Sequence, residues 1–170
     1  GNTKRDGVIV IGLEERDFPV DAIVTTGNDD VFLSTRMGSI IRFNENDVRP
    51  MGRAAGGVIG IELEEGDEVV KCTKSTKRGY LITVLQKGYV KRVRDSIDEY
   101  RVQNRGGFGI SNATITERSG NVVGTLSTKE NETLMLFTNT GHDARINGKE
   151  LRYVSRPGEG KRSLLSLAGE

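Results

Sequence analysis

The sequence predicts an all-β protein built as a propeller-like series of small antiparallel sheets. Its 170 residues include 22 glycines but only three prolines, a composition that favours short strands joined by tight turns over a helical bundle. Hydrophobic and polar residues alternate along several short segments, as in half-buried strands. The strongest indication is an internal repeat of about fifty residues, which is the size of one propeller blade.

The repeat is clearest at three glycines that each follow a β-rich segment. Gly38, Gly88 and Gly141 lie in STRMGSIIRF, TVLQKGYVKRV and LFTNTGHDARI, so the unit recurs after 50 and then 53 residues. We expect each glycine to form a hairpin turn with positive φ, a conformation that costs glycine little. An arginine lies four positions after each of these glycines, namely Arg42, Arg92 and Arg145.

Each unit contains a predicted strand before its hairpin glycine: VFLST (31–35), YLITV (80–84) and TLMLFT (133–138). A further strand is predicted at 59–64, where Ile59, Ile61 and Leu63 alternate with glycine and glutamate. Polar connecting loops are predicted at 25–30, 73–78 and 127–132. The resulting single repeat domain, 1–170, divides into a partial blade at 1–27, blades at 28–77 and 78–130, and a divergent or incomplete blade at 131–170.

A second motif in each unit is an arginine followed four positions later by a glycine. The pairs are Arg53 with Gly57, Arg105 with Gly109, and Arg156 with Gly160. In QNRGGFG (103–109), Gly106 and Gly107 also follow the arginine. Two interpretations are open: the glycines let a phosphate backbone approach main-chain N–H groups beside the arginine, or the motif closes a β-turn and its arginine pairs with a nearby carboxylate.

The charge distribution favours a polyanionic partner although the net charge is only +1. Acidic residues gather in other segments, such as IELEEGDE (61–68). Stacked blades would therefore align the cations into a basic stripe that binds duplex DNA without reading its sequence. Aromatic residues for stacking single-stranded bases are few. The basic half of the middle unit contains Lys87, Lys91, Arg92, Arg94, Arg101 and Arg105.

Other function classes find little support in the sequence. One cysteine, Cys72, and one histidine, His142, provide neither a disulfide framework nor a cluster with metal-ligand spacing. No catalytic constellation, metal site or cofactor fingerprint is present, so we do not expect an independent enzyme. We expect a soluble cytoplasmic protein without a membrane partner, because no segment resembles a membrane helix or a leader peptide. The chain starts at Gly1 and could be a piece of a longer protein.

Three linked segments carry a family resemblance. IIRFNENDVRPMGRAAGGVIGIELEEGDEVV (40–70), ITVLQKGYVKRVRDSIDEYRVQNRGGFGI (82–110) and ERSGNVVG (117–124) closely resemble successive blades of the C-terminal domain of the DNA gyrase A protein, with the topoisomerase IV counterpart as a near relative. The resemblance implies a β-pinwheel, in which neighbouring blades exchange strands and a positively charged perimeter bends and wraps duplex DNA.

The resemblance also implies partners and site residues. The partners would be double-stranded DNA, the rest of the gyrase A protein, and the gyrase B protein, with cleavage, ATP and Mg²⁺ assigned to other domains or polypeptides of the enzyme. The resemblance places Arg42, Lys91, Arg92 and Arg145 on the perimeter after the hairpin glycines, and Arg53, Arg105 and Arg156 at the next turn. The alternative from another class is a propeller-like scaffold that docks a basic protein on Glu62–Glu68.

Two departures separate this chain from the family pattern. The gyrase signature box reads Gln-Arg-Arg-Gly-Gly-Lys-Gly, whereas this chain has Asn104 and Phe108 in place of the second-position arginine and the lysine. QNRGGFG is therefore a relative of the box within a later blade. In the last unit, Pro157, Lys161 and Arg162 replace small or β-branched residues, so we expect that blade to diverge or to be incomplete.

Overall fold

The computed structural model describes residues 7–151, residue 156 and residues 165–166. These residues form antiparallel strand pairs, two single-turn 3₁₀ helices (Glu45–Asp47 and Gly148–Glu150) and no α-helix, which confirms the all-β prediction. The strands are β1 (Asp30–Thr35), β2 (Ser39–Asn44), β3 (Val69–Lys74), β4 (Tyr80–Leu85), β5 (Tyr89–Arg94), β6 (Ile110–Ser111), β7 (Val122–Thr128), β8 (Thr133–Phe137), β9 (Asp143–Asn147) and β10 (Leu165–Ser166).

The strands form two four-stranded sheets that share one topology. The first sheet has the order β3-β1-β2-β6 and the second has the order β7-β4-β5-β10. In each, a hairpin is flanked on one edge by a strand of six or seven residues and on the other edge by a two-residue strand, both from further along the chain. Each sheet thus draws on more than one repeat unit. In the described part of the chain, β8 and β9 form a third sheet of two strands.

The hairpins are in the same register, which defines equivalent positions. Phe32 lies opposite Arg42 in the first sheet, Ile82 opposite Arg92 in the second, and Met135 opposite Arg145 in the β8–β9 hairpin. Two residues towards the open end of each hairpin, the opposed pairs are Asp30–Asn44, Tyr80–Arg94 and Thr133–Asn147.

The hairpin glycines adopt the predicted conformation. Gly38, Gly88 and Gly141 have φ of +98°, +87° and +88°. Each donates its N–H to the carbonyl three residues earlier, at 3.2, 3.1 and 3.1 Å respectively. Positive φ is strained for residues with a side chain, so the repeated glycine has a local structural cause. Gly160 lies outside the described residues.

The core lies where neighbouring sheets pack against each other. Phe32, Ile40, Leu81, Val93 and Tyr100 form one fully buried cluster that joins the two sheets. A second cluster, which includes Ile82, Val90, Leu134 and Leu151, joins the second sheet to the β8–β9 hairpin. Stacking therefore buries faces that one small sheet would leave in water.

The predicted strand at 59–64 is wrong. This segment has no strand assignment, and of its alternating residues Ile61 is buried whereas Ile59 is 62% exposed and Leu63 is 39% exposed. Its main chain pairs with the QNRGGFG loop: the Glu62 N–H donates to the Gly107 carbonyl at 2.8 Å, and the Gly106 N–H donates to the Gly60 carbonyl at 2.7 Å. Alternation here accompanies contact between loops of adjacent units.

Candidate nucleic-acid interface

Arg42 is buried in the first sheet, and the prediction that it lies on an exposed perimeter is wrong. Its side chain is 3% exposed. Nη2 lies 2.9 Å from Oδ2 of Asp30, and Nη1 lies 3.4 Å from Oδ1 of Asp95. Nη1 also donates to the Tyr100 carbonyl, and the guanidinium carbon lies 5.5 Å from the centroid of the Phe32 ring. Two carboxylates neutralise this arginine inside the protein.

Lys91 and Arg92 in the second sheet are buried as well, at 3% and 7% exposure, so their predicted perimeter placement is also wrong. The Lys91 ammonium donates to the carbonyl of Asn112. The Arg92 guanidinium carbon lies 4.3 Å from the centroid of the Tyr80 ring, in cation–π contact. Nε and Nη1 of Arg92 are inaccessible to water and have no hydrogen-bond partner.

The physical cause of this burial is the position of the strands. β2 and β5 are central strands in their sheets, and their faces are covered by neighbouring units in the core described above. Arg145 is exposed, because its hairpin has no further strand in the described part of the chain. Equivalent sequence positions thus lie in different environments.

Arg105 and Arg156 make the same contact in successive units. Arg105 donates from Nε to the Asp47 carbonyl at 2.9 Å and from Nη1 to the Ile59 carbonyl at 3.0 Å. Arg156 donates from Nε to the Glu99 carbonyl at 2.6 Å and from Nη1 to the Ser111 carbonyl at 3.1 Å. Each arginine links its own unit to the unit before it. This geometry supports the turn-closing interpretation, with main-chain carbonyls as acceptors for the guanidinium.

Arg53 differs from these two equivalents. It is exposed, and its side chain forms no hydrogen bond or ion pair with a described residue. Arg53 therefore remains a predicted phosphate contact.

Two of the three glycines of QNRGGFG, Gly106 and Gly109, have a structural reason to be glycine. Gly106 and Gly109 have positive φ, +85° and +72°, and so does Gly57 at +74°. A Cβ on Gly109 would overlap the carbonyl oxygen of Ile40, where the exchanged strand β6 approaches the first sheet. The N–H of Gly106 is already used by Gly60, so it is not free to bind a phosphate; Gly107 has no positive φ.

Exposed cations nevertheless accumulate on the second sheet and its loops. Arg94 and Arg101 are exposed, and Lys87 is exposed with its ammonium donating to the Glu117 carbonyl. The sequence interpretation did not name three further exposed cations, of which Arg78 and Lys129 occur in segments assigned to connecting loops. The three cations are Arg78, Arg118 and Lys129.

Arg78, Arg94 and Lys129 line one cleft of about 450 Å³, together with Tyr80 and Glu130. We call this cleft the basic cleft. It lies where the start of β4 meets the ends of β5 and β7. Three cations and one carboxylate give it an excess of positive charge, so it suits an anion.

The ion pairs of the exposed surface lie on the first sheet. Arg36 pairs with Glu68 at 3.4 Å, Lys71 with Asp21 at 3.2 Å, and Lys74 with Asp29 at 4.0 Å. Although burial alone would raise the pKa of Asp21, hydrogen bonds from the Cys72 N–H and from Lys71 lower it. Among the described residues, Arg78, Lys87, Arg101 and Lys129 form no such pair.

Cys72 has no features of a reactive thiol. Burial, and then the charge of Asp21, raise its pKa to about 11, so the nucleophilic thiolate is scarce at neutral pH. Within the described residues, no three His, Cys, Asp or Glu side chains are grouped as metal ligands. None of the helices in that part of the chain has the length and hydrophobicity to cross a bilayer.

Strand exchange between sheets of identical topology defines the class of this protein: a β-pinwheel, the propeller-like repeat domain in which neighbouring blades share strands. Comparison with solved structures agrees. A DNA gyrase A C-terminal domain superposes with a TM-score of 0.83 at 28% identity, over 88% of this chain and 51% of that chain. The C-terminal domain of DNA topoisomerase IV gives 0.78 at 26% identity, over 86% of this chain and 46% of that chain.

The family follows from the sequence comparisons. The family described as DNA gyrase C-terminal domain, beta-propeller, matches residues 1–26, 29–74 and 79–129. The DNA gyrase A protein of Staphylococcus epidermidis is 41% identical over 160 residues, which represent 93% of this chain but only 18% of that relative. This chain belongs to the family of DNA gyrase C-terminal domains, which are parts of type IIA topoisomerases. The resemblance that the sequence indicated is confirmed.

Proposed function

We propose that this chain binds duplex DNA without sequence preference and bends and wraps it, as a C-terminal domain of the gyrase A protein that supports DNA supercoiling. The observation that carries the proposal is the group of exposed cations on the second sheet and its loops, which includes Arg78, Lys87, Arg101 and Lys129. Because they have no carboxylate partner among the described residues, their charge is available to phosphates.

Bending sets an energetic requirement. Curving a duplex by tens of degrees costs on the order of several kcal/mol, which several phosphate contacts must offset together. These contacts can be spread along a curved duplex, because exposed cations occur on more than one unit: Arg53 belongs to the first unit and Arg145 to the third. Catalysis is no part of this proposal: cleavage, ATP hydrolysis and Mg²⁺ chemistry are assigned to other parts of the parent enzyme, with which the domain would act.

The scaffold alternative has less support. Its acidic segment, Glu62–Glu68, is partly engaged within the chain, because Arg36 pairs with Glu68 and the Met37 N–H donates to Asp67 at 2.9 Å. Glu62, Glu64 and Glu65 are exposed, but exposed carboxylates alone are ordinary on a protein surface.

A salt titration of duplex affinity tests the proposal. We expect the affinity of the chain for a duplex of about 40 base pairs to fall steeply between about 50 and 200 mM salt, because each neutralised phosphate releases counterions. The double variant Lys87→Gln/Arg101→Gln should reduce the slope of log affinity against log salt by up to about 1.8, roughly 0.9 per lost contact. Fluorescence anisotropy gives the affinity, and energy transfer between dyes at the duplex ends reports bending.

The matched control is Arg36→Gln, which removes a cation that Glu68 already neutralises. It should leave the slope nearly unchanged. No detectable duplex binding at low salt would reject the proposal, and binding without a change in end-to-end distance would reject its bending component.

A further inference from the structure

The basic cleft and the buried Arg92 beside it point to a phosphate-binding site that the first sheet does not have. The comparison starts from equivalent residues. Asp30, which neutralises Arg42, is replaced by Tyr80 in the second sheet, and Asp95, which also contacts Arg42, is replaced by Gly148 in the next unit. Arg92 therefore has neither of the two carboxylates that balance its equivalent.

The charge of Arg92 is left without a counter-ion among the described residues. Its side chain is 93% buried, since 7% is exposed, and its Nε and Nη1 atoms have no hydrogen-bond partner. The Tyr80 ring at 4.3 Å stabilises the guanidinium through its π face. An aromatic quadrupole offsets only part of a full charge, so a positive potential persists beneath the ring.

The rim residues near Arg92 are also more positively charged than their equivalents in the first sheet. In the first sheet, the positions equivalent to Arg78, Arg94 and Lys129 are occupied by the neutral residues Asn28, Asn44 and Thr76. There Asn44 donates to Asn28 at 3.3 Å and to Asp30 at 3.0 Å, which closes the rim by internal hydrogen bonds.

The third unit has neutral residues at the same places. Asn131 and Asn147 correspond to Arg78 and Arg94, and Thr133 corresponds to Tyr80. Among the described units, three rim cations thus coincide with the unbalanced buried arginine in the second sheet. One ligand explains both features: an anion with more than one negative oxygen, held by the rim cations over Tyr80 and close enough to balance Arg92.

We propose that the basic cleft binds a phosphate group, with Arg78, Arg94 and Lys129 as its direct contacts and Arg92 as the buried charge that strengthens the site. Arg92 does not itself line the cleft, so it acts through the electrostatic potential. Glu130, also in the lining, faces the same space and limits the excess charge. If the phosphate belongs to a DNA duplex, this inference rests on the proposed function, and the second unit is then the part of the chain that binds the duplex most strongly.

The test uses inorganic pyrophosphate and duplex DNA as separate probes of the 170-residue chain, with affinities measured by calorimetry or by chemical shift. Tyr80→Asp restores the carboxylate that the first sheet has, whereas Tyr80→Asn changes the same shape without the charge. We expect Tyr80→Asp to weaken pyrophosphate binding roughly tenfold or more relative to Tyr80→Asn, since an ionised partner for Arg92 cancels the potential. Circular dichroism establishes that both variants fold.

A second pair of variants tests the rim independently of the core. Arg78→Gln/Lys129→Gln should weaken pyrophosphate binding by a similar factor. Arg49→Gln/Arg16→Gln removes two exposed cations elsewhere and should leave binding unchanged. These exposed substitutions decide the question if a Tyr80 variant fails to fold.

The outcomes separate the two proposals. Pyrophosphate binding that is lost in the rim variant and kept in the Arg49/Arg16 variant supports the cleft, whether or not the chain binds duplex DNA. If duplex affinity falls in parallel, the ligand is the DNA backbone; if it does not, the ligand is a small phosphate compound. No pyrophosphate binding to the unaltered chain, or equal loss in the rim and control variants, would overturn the proposal.

Discussion

The first and second sheets place an arginine at the same point of the same hairpin, yet the two side chains have different surroundings. Arg42 lies between the carboxylates of Asp30 and Asp95, whereas Arg92 lies against the ring of Tyr80 and has two N–H-bearing atoms without partners. The repeat therefore preserves position and burial but not charge balance. A repeated fold can use one unit to stabilise the domain and keep positive potential for a ligand in another.

The largest expected effect comes from removing each arginine in turn. Arg42→Met leaves Asp30 and Asp95 buried without a cation and should lower the free energy of unfolding by about 3–5 kcal/mol. Arg92→Met removes a cation that has no carboxylate partner among the described residues, and it should cost no more than about 1–2 kcal/mol, from lost cation–π and packing contacts. Urea denaturation followed by circular dichroism measures both.

Arg42→Lys refines this test, because it keeps the charge but loses the forked hydrogen bonds to Asp30. The free energy of unfolding of Arg42→Lys should lie between those of the wild type and Arg42→Met. Equal destabilisation by Arg42→Met and Arg92→Met would contradict the difference between the two sheets.

A smaller difference is expected at the hairpin glycines. Both Gly38 and Gly88 have positive φ, so alanine at either costs about 1–2 kcal/mol from backbone strain. A Cβ on Gly38 would also overlap the carbonyl of Ala113, whereas a Cβ on Gly88 would meet no described atom within 4 Å. Gly38→Ala should therefore cost about 1–3 kcal/mol more than Gly88→Ala, by the same denaturation measurement.

The turn at Gly38 is covered by another segment, whereas the turn at Gly88 is open. This difference results from strand exchange. The N–H groups of Asn112 and Ala113 donate to the Gly38 carbonyl at 2.8 and 3.0 Å, so the segment after β6 lies directly on that turn. If Gly38→Ala and Gly88→Ala have equal effects, this segment does not pack on the first turn as closely as its geometry requires.

The sequence predicted the hairpin turns at Gly38, Gly88 and Gly141, because a glycine that needs positive φ is a local signal that recurs in each unit. It could not predict the burial of Arg42. Its partner Asp30 lies twelve residues away across the β1–β2 hairpin, whereas Asp95 lies 53 residues away and meets it only after the sheets stack. The exposed Arg78 and Lys129 were assigned to connecting loops. Their meeting in one cleft likewise depends on the pairing of strands β4 and β7, which are distant in sequence. Comparing units position by position would have found one signal, the replacement of Asp30 by Tyr80.

The strand predicted at 59–64 is wrong for a related reason. Alternation of Ile59, Ile61 and Leu63 is typical of a half-buried strand, but in the structure this segment is joined to the QNRGGFG loop of the next unit and not to a sheet. Hydrophobic periodicity reports that one side of a segment faces other residues. It does not report whether the partner is a strand or a loop when the partner comes from another unit.

The smallest expected effect concerns Arg105 and Arg53, which occupy the same position in successive repeat units. Arg105→Ala removes two hydrogen bonds, to the carbonyls of Asp47 and Ile59, and should lower the free energy of unfolding by about 1–2 kcal/mol. Arg53→Ala removes no hydrogen bond or ion pair with a described residue and should change stability by less than about 0.5 kcal/mol, while weakening duplex binding if Arg53 contacts a phosphate. The opposite result, a stable Arg105→Ala with weaker DNA binding, would make Arg105 a ligand contact and not the link between units that its hydrogen bonds indicate.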